Sequence, residues 1–396
     1  MPSIRVHEGR TRPVVVALIT VVILVGLLTI ADRTTSGAAS PRTTNADGQL
    51  RQALSRLVAA KGGPPGGIVV VQRGGTPMIF TAGVAAVGES GTPQPTDHVR
   101  IAGVSNALSG AAALALVADD KLTLNTTIGD VLPTLPATWS HVTLAELLQH
   151  TSGVPDFSTS KAFQKAFGAS PTVAPPPEHL LSYVAKQPLE FKPGSRYHYS
   201  NSDNVIVALM MQAIAGAPYA SVLQEEVTQP LGLGQTTLPT GASMPAAFMR
   251  GYDVDPPKAA ENVSEAIAAG WSYASGGIVS TPLDLNRFIS GYVTGTLTNG
   301  ATRARQFRFR SGSSEPPGPG TNAVGLALFR YTTSCGLVYG DTGNTLGYTA
   351  FAAASRDGTR SVSVLVGSQL TPESNAELFA QLRQVFGQAV CAAMAR

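Results

Sequence analysis

Five short patterns, widely spaced along the chain, hold the side chains best suited to chemistry. Arg100-Ile101-Ala102-Gly103-Val104-Ser105-Asn106 opens an Ala-rich stretch, and His150-Thr151-Ser152-Gly153-Val154-Pro155-Asp156 follows a shorter apolar one. Phe191-Lys192-Pro193-Gly194 leads into Tyr199-Ser200-Asn201. Trp271 precedes Ser275-Gly276-Gly277-Ile278-Val279-Ser280-Thr281, and Tyr339-Gly340-Asp341-Thr342-Gly343 runs into a strand-like segment. A phenol, several amides and hydroxyls, and carboxylates of this kind serve hydrogen bonding and proton transfer.

Other routes to catalysis find little support. The six histidines are isolated, two cysteines alone make no metal site, and neither a metal nor a cofactor is expected. A Gly-x-Ser-x-Gly elbow is missing from the sequence. Ser158 and Lys161 form a Ser-x-x-Lys pair, but it follows a loop instead of opening the Ala-rich helix and reads as surface. Ser105, two places beyond Gly103, points to a different helix face.

In order and interval, the five patterns resemble the penicillin-binding and class C β-lactamase family of serine hydrolases, from about residue 48 to the end. The stretch from Ser334-Cys335-Gly336 through Arg360-Ser361-Val362 is particularly similar to exported actinomycete D-alanyl-D-alanine carboxypeptidases, including the placing of both cysteines. The resemblance implies a Ser-x-x-Lys at a helix N-terminus, where residues i and i+3 share a face and the amine takes the hydroxyl proton. Here Gly103 stands at the serine position and Asn106 at the lysine position. Glycine has no attacking atom, and a neutral amide is no base near neutral pH.

The other family motifs survive unevenly. Tyr199 and Asn201 match Tyr-x-Asn, which implies a phenol for proton transfer and an amide that holds the ligand's peptide group. The run Ser200 to Asp203 equally suits a helix N-cap, and both roles are compatible. The usual His-Thr-Gly or Lys-Thr-Gly is Asp341-Thr342-Gly343, so a negative charge is expected to face, and weaken, a substrate carboxylate. The family's oxyanion hole maps to the backbone N–H groups of Gly103 and Asn344, which need no side chain. Trp271 falls at the family's aromatic pocket wall, with a buried core position as the alternative.

Local signals say which elements position these groups. Asp47 suits a helix cap ahead of Leu50, Leu54, Leu57 and Val58; residues 68–73 and 77–84 read as paired strands across Gly74-Gly75. Residues 103–118 read as helix, and Thr143 with Glu146 forms a capping box closed by Gly153. Strands are expected at 337–339, 348–354 and 361–366, with an Asp357-Gly358 hairpin, then a last helix from Thr371-Pro372. Residues 301–322, with Arg303, Arg305, Arg308 and Arg310, read as a solvated loop, or more speculatively as a site for an anionic envelope polymer.

Composition places the chain. Hydrophobic residues make up 43% and charged residues 13% of 396, with a net charge of +3 and no basic face of the nucleic-acid type. Arg5, Arg10 and Arg12 precede an unbroken apolar run over 14–31, closed by Asp32 and Arg33. That is a membrane anchor with its N-terminus inside, or a signal cleaved near Ser36 to Ala39. Either puts the rest outside the cytoplasm, where Cys335 and Cys391 are free to pair as a staple worth roughly 4 kcal/mol.

The expected protein is therefore α+β and β-lactamase/transpeptidase-like: an antiparallel sheet flanked by helices, with an inserted mainly helical part, behind a transmembrane segment. Residues 1–33 are the anchor or signal, 34–47 a linker and 48–396 the folded domain. Within it 48–118 and 262–396 build the sheet region and 119–261 the helical one. Expected function is a degenerate relative that binds a cell-wall peptide or an envelope protein; an active hydrolase with an unrecognised nucleophile is the alternative.

Overall fold

Residues 41–395 are described by a computed structural model. The anchor or signal expected over 1–33 and the first half of the 34–47 linker lie outside the described residues. Helix α1 (Pro41–Ala59) begins within that expected linker, ahead of Asp47. Asp47 is not its cap; its carboxylate pairs instead with Arg73 at 2.6 Å. Among the described residues no single helix is long and apolar enough to cross a membrane.

Eight strands form one sheet: β1 (Gly66–Arg73), β2 (Met78–Gly83), β3 (Arg310–Ser311), β4 (Thr321–Val324), β5 (Phe329–Thr333), β6 (Gly336–Thr345), β7 (Tyr348–Ala354) and β8 (Arg360–Val366). Their order is β2-β1-β8-β7-β6-β5-β4-β3, with each neighbouring pair antiparallel. The N-terminal hairpin thus docks onto the C-terminal one, through Gly67 opposite Val366 and Arg73 opposite Arg360. Short antiparallel turns make such a sheet possible without crossover helices.

Period-two alternation gives the sheet two apolar faces. Val69 and Val71 of β1, with Val364 and Val366 of β8, face α1 and the last helix, α5 (Ala376–Met394). Ile68 and Leu365 face the opposite layer, built on α2 (Val104–Ala118), α3 (Asn201–Ala215) and α4 (Pro282–Thr294). Helix α5 starts later than Thr371-Pro372, because Asn375 supplies its cap by accepting from the Leu378 N–H. The capping box of Thr143 and Glu146 is present as expected.

The stretch 301–322 is not a featureless solvated loop. It contributes the helix Gly300–Gln306, capped by Asn299, and the strand β3. Arg303 is held by the carbonyls of Val293 and Arg356, and Arg310 by that of Gly194. Those two guanidinium groups serve backbone acceptors, whereas Arg305 and Arg308 are exposed. Beyond them, Glu315, Pro316 and Pro317 reach the cleft described next. Cys335 and Cys391 are bonded, across 56 residues, and tie the start of β6 to α5.

Candidate functional site

A cleft of about 500 Å³ opens between the sheet and the helical layer. Gly103, Tyr199, Asn201 and Asn344 line it, together with Ser275, Glu315 and Glu373. Widely separated sequence patterns therefore meet at one place. Its floor is the turn into α2, where Gly103 directly precedes the helix and Ala102 before it holds a left-handed φ of 47°. A non-glycine residue in that region costs conformational energy, and such strain clusters at functional turns.

Strand β6 passes hard against this turn. A Cβ on Gly343 would fall 2.5 Å from the Gly103 nitrogen and 2.3 Å from the Ile101 carbonyl oxygen, so only glycine fits there. Gly103 itself has helical angles, φ −57° and ψ −18°, and needs no glycine for its backbone. Yet a Cβ added to it would lie 2.8 Å from the Thr342 carbonyl oxygen and 3.6 Å from that of Glu315. A side chain at this position therefore meets the β6 backbone at its first carbon.

One turn into α2, Asn106 is 4% exposed and donates its Nδ2 hydrogen to the Tyr199 hydroxyl at 3.0 Å. Tyr199 donates in turn to Asn201 Oδ1 at 3.2 Å. The Tyr199 ring is partly exposed, but its hydroxyl end is enclosed, and desolvation raises its pKa far above the usual phenol value despite the Asn106 hydrogen bond. It stays protonated at neutral pH. A tyrosinate base is therefore not available in this state.

The cap of α3 is supplied from outside the helix. Ser200 occupies the cap position, but its hydroxyl makes no cap bond; Asp156 Oδ2 accepts from the Asn201 N–H at 3.1 Å and from its Nδ2 at 2.8 Å. Behind it lies a buried pair that the sequence pattern contained without revealing its role. His150 Nδ1 meets Asp203 Oδ2 at 2.9 Å, and Ser152 donates to Asp203 Oδ1 at 2.5 Å. The His150 ring sits 4.6 Å from that of Tyr199. Burial raises the Asp203 pKa, and the His150 contact opposes it. The distance from His150 to Asp203 in sequence hid this pairing.

Asp341 departs from expectation. It shares the face of Tyr339 toward the helical layer, is 2% exposed, and does not line the cleft. Its Oδ1 accepts from the Thr342 N–H at 2.8 Å, whereas Oδ2 meets no partner among the described residues. Desolvation pushes its pKa well above the ordinary carboxylate range, and burial keeps it from facing a ligand in the cleft. Asp341 is therefore not placed to act as a base on water in the cleft. Thr342, on the opposite face, donates its hydroxyl hydrogen to the Pro316 carbonyl.

Trp271 is a core residue, not a wall of the cleft. It is 4% exposed, donates to the Ser170 carbonyl at 3.1 Å and meets Phe163 and Phe167 edge-on at 5.5 Å each. Its neighbours Ser272 and Gly276 reach the cleft instead. Asn344 lines the cleft while its Nδ2 donates to the Leu370 carbonyl at 3.1 Å. Ser158 is closer to the site than its surface reading implied, because its Oγ accepts from Asn201 Nδ2 at 3.2 Å. Lys161 is exposed, and the extended Ser160 separates it from the turn Phe157–Thr159 that holds Ser158. The two do not share a continuous helix face.

Residues 50–385 match the model of the Beta-lactamase family. The chain belongs to the beta-lactamase family. Similar beta-lactamase-family proteins include the D-alanyl-D-alanine-carboxypeptidase/endopeptidase AmpH of Escherichia coli, 26% identical over 238 residues, 59% of this chain and 58% of AmpH. The chain thus spans less than two thirds of that relative's length. Esterase EstB of Burkholderia gladioli is 31% identical over 179 residues, 42% of this chain and 45% of EstB. Among solved structures, the D-amino acid amidase of Ochrobactrum anthropi superposes with TM-score 0.75 at 21% identity, covering 87% of this chain and 98% of that one. A penicillin binding protein of Bacillus halodurans gives 0.70 at 18%, covering 85% and 100%. At such identities the two structures establish the beta-lactamase fold alone.

Proposed function

We propose that this protein is a non-acylating member of the beta-lactamase family that binds a peptide, of cell-wall or envelope-protein origin, in the cleft beside Gly103. One observation carries the reading. Where the resemblance implies a serine, a Cβ would already lie 2.8 Å from the Thr342 carbonyl oxygen, so an attacking side chain has neither an atom nor a space. Asn106, at the implied lysine position, is spent on the Tyr199 hydroxyl. In serine proteases, losing one member of a cooperating catalytic unit costs on the order of a millionfold in turnover. The apolar run at 14–31, with arginines ahead of it, supports export and a membrane tether or signal.

Incubation of the purified protein with labelled penicillin, followed by intact-mass measurement, tests the reading. No adduct is expected. A stoichiometric, hydroxyl-linked adduct overturns it.

A second reading, an active hydrolase with another nucleophile, is favoured by the approach of Ser158 to Asn201 at 3.2 Å. It requires ester or D-alanyl-peptide turnover that disappears in Ser158→Ala. Turnover unaffected by that change removes Ser158 as the candidate.

A further inference from the structure

Several of the cleft's side-chain hydrogen-bond donors are spent within the protein. Tyr199 gives its hydroxyl hydrogen to Asn201, Ser275 gives its own to the Ser272 carbonyl at 2.6 Å, and Thr371 donates to Ser374 at 3.2 Å. The Asn201 amide donates to Asp156 and Ser158, and the Asn344 amide to Leu370. Acceptors are left over. Asn344 Oδ1 meets no partner among the described residues, and neither does Oδ1 of the buried Asn106 directly behind Tyr199.

Charge points the same way. Glu315 and Glu373 are the charged residues lining the cleft; both are exposed, and no Lys, Arg or His lines it. Neither carboxylate belongs to an ion pair among the described residues. Two carboxylates at one mouth repel, and a cation placed between them relieves that repulsion. The Glu315 pKa is raised, first by desolvation, with smaller contributions from the Asp156 and then the Glu373 charge. The histidines that oppose it, His150 and His198, are each held by another carboxylate, Asp203 at 2.9 Å and Glu190 at 3.0 Å.

We infer that the cleft selects a ligand presenting an ammonium group, with Glu315 and Glu373 as the specificity-determining residues, and disfavours one presenting a free carboxylate. The inference rests on the peptide-binding reading above and names the chemistry that reading leaves open. An amine-bearing peptide brings donors to the unpaired acceptors, and its positive charge answers the two carboxylates. A carboxylate terminus brings more acceptors and a third negative charge. It also explains how a fold can keep its cleft while the position of the family's cation-capable residue holds a buried Asp341.

Titration calorimetry of the full chain with three dipeptide probes separates the terms. D-alanyl-D-alanine amide carries only the amine, N-acetyl-D-alanyl-D-alanine only the carboxylate, and D-alanyl-D-alanine both. The amide is expected to bind tightest and the acetylated acid weakest. Glu315→Gln with Glu373→Gln should weaken the amide about tenfold, an effect reduced by added salt, while the thermal midpoint stays unchanged. Equal or tighter binding of the acetylated acid, or an amide affinity insensitive to the double substitution, overturns the ammonium preference and leaves the peptide-binding reading standing. Binding of no probe at all overturns both.

Discussion

The Thr342 carbonyl oxygen lies 2.8 Å from the point where a Cβ on Gly103 would sit. Real Cβ atoms do not approach an oxygen that closely without movement, and the atom in the way is strand backbone with little freedom to yield. Loss of the side chain and close approach of β6 are therefore one structural state. Gly103→Ala is expected to destabilise the protein by about 1–3 kcal/mol through overpacking, read as a lowered urea midpoint. A neutral or stabilising effect would mean that β6 gives way easily.

That relationship bears on repair. Gly103→Ser combined with Asn106→Lys restores the residue types of the family motif but not the space they need. The folded double variant is expected to remain unlabelled by penicillin in intact-mass spectra. Stoichiometric labelling would show that side-chain identity alone blocks the chemistry.

Tyr199 links α2 to α3 through its hydroxyl. Tyr199→Phe removes the partner of Asn106 Nδ2 and of Asn201 Oδ1 together, leaving a buried amide with both ends unsatisfied. The expected cost is about 1–3 kcal/mol, measured by chemical unfolding. An unchanged midpoint would show that water or a rotamer change satisfies Asn106.

Asp341 predicts a pH dependence. Below about pH 4 both the folded and unfolded chains keep its proton; as pH rises the unfolded chain releases it while the folded chain retains it. Its contribution to folding stability therefore falls with rising pH until the raised folded pKa is passed. Asp341→Asn should flatten that fall above about pH 4, with a residual slope from Asp203, whose pKa is also raised. Urea midpoints across the range check it; identical slopes for the two proteins would mean that Asp341 is ionised in the fold.

The bond between Cys335 and Cys391 closes a loop across 56 residues. Replacing both by serine is expected to cost about 2–4 kcal/mol, chiefly by freeing the unfolded chain. Equal unfolding midpoints with and without reductant would contradict this.

Much of the architecture can be read directly from the sequence. The β-branched run at 68–71, the strand signal at 361–366, the Thr143–Glu146 capping box and the Ala-rich run after Gly103 are local signals, set by neighbours a few residues away. The replaced nucleophile is legible in the same way, because a residue type is written at its position: Gly103 has no oxygen whatever surrounds it. The outcome for residues 301–322 was harder to see, since an arginine that caps carbonyls looks in sequence like one bound for solvent.

What only the tertiary structure decided is charge state and company. Asp341 reads as an anion until burial without a cation disfavours its charged form. Trp271 suits a pocket wall until Phe163 and Phe167 enclose it. Glu315 and Glu373 carry no motif, and they acquire meaning only because separate segments fold to one mouth. Residue type is a local property, whereas desolvation and electrostatic neighbourhood depend on atoms that the chain brings together from far apart.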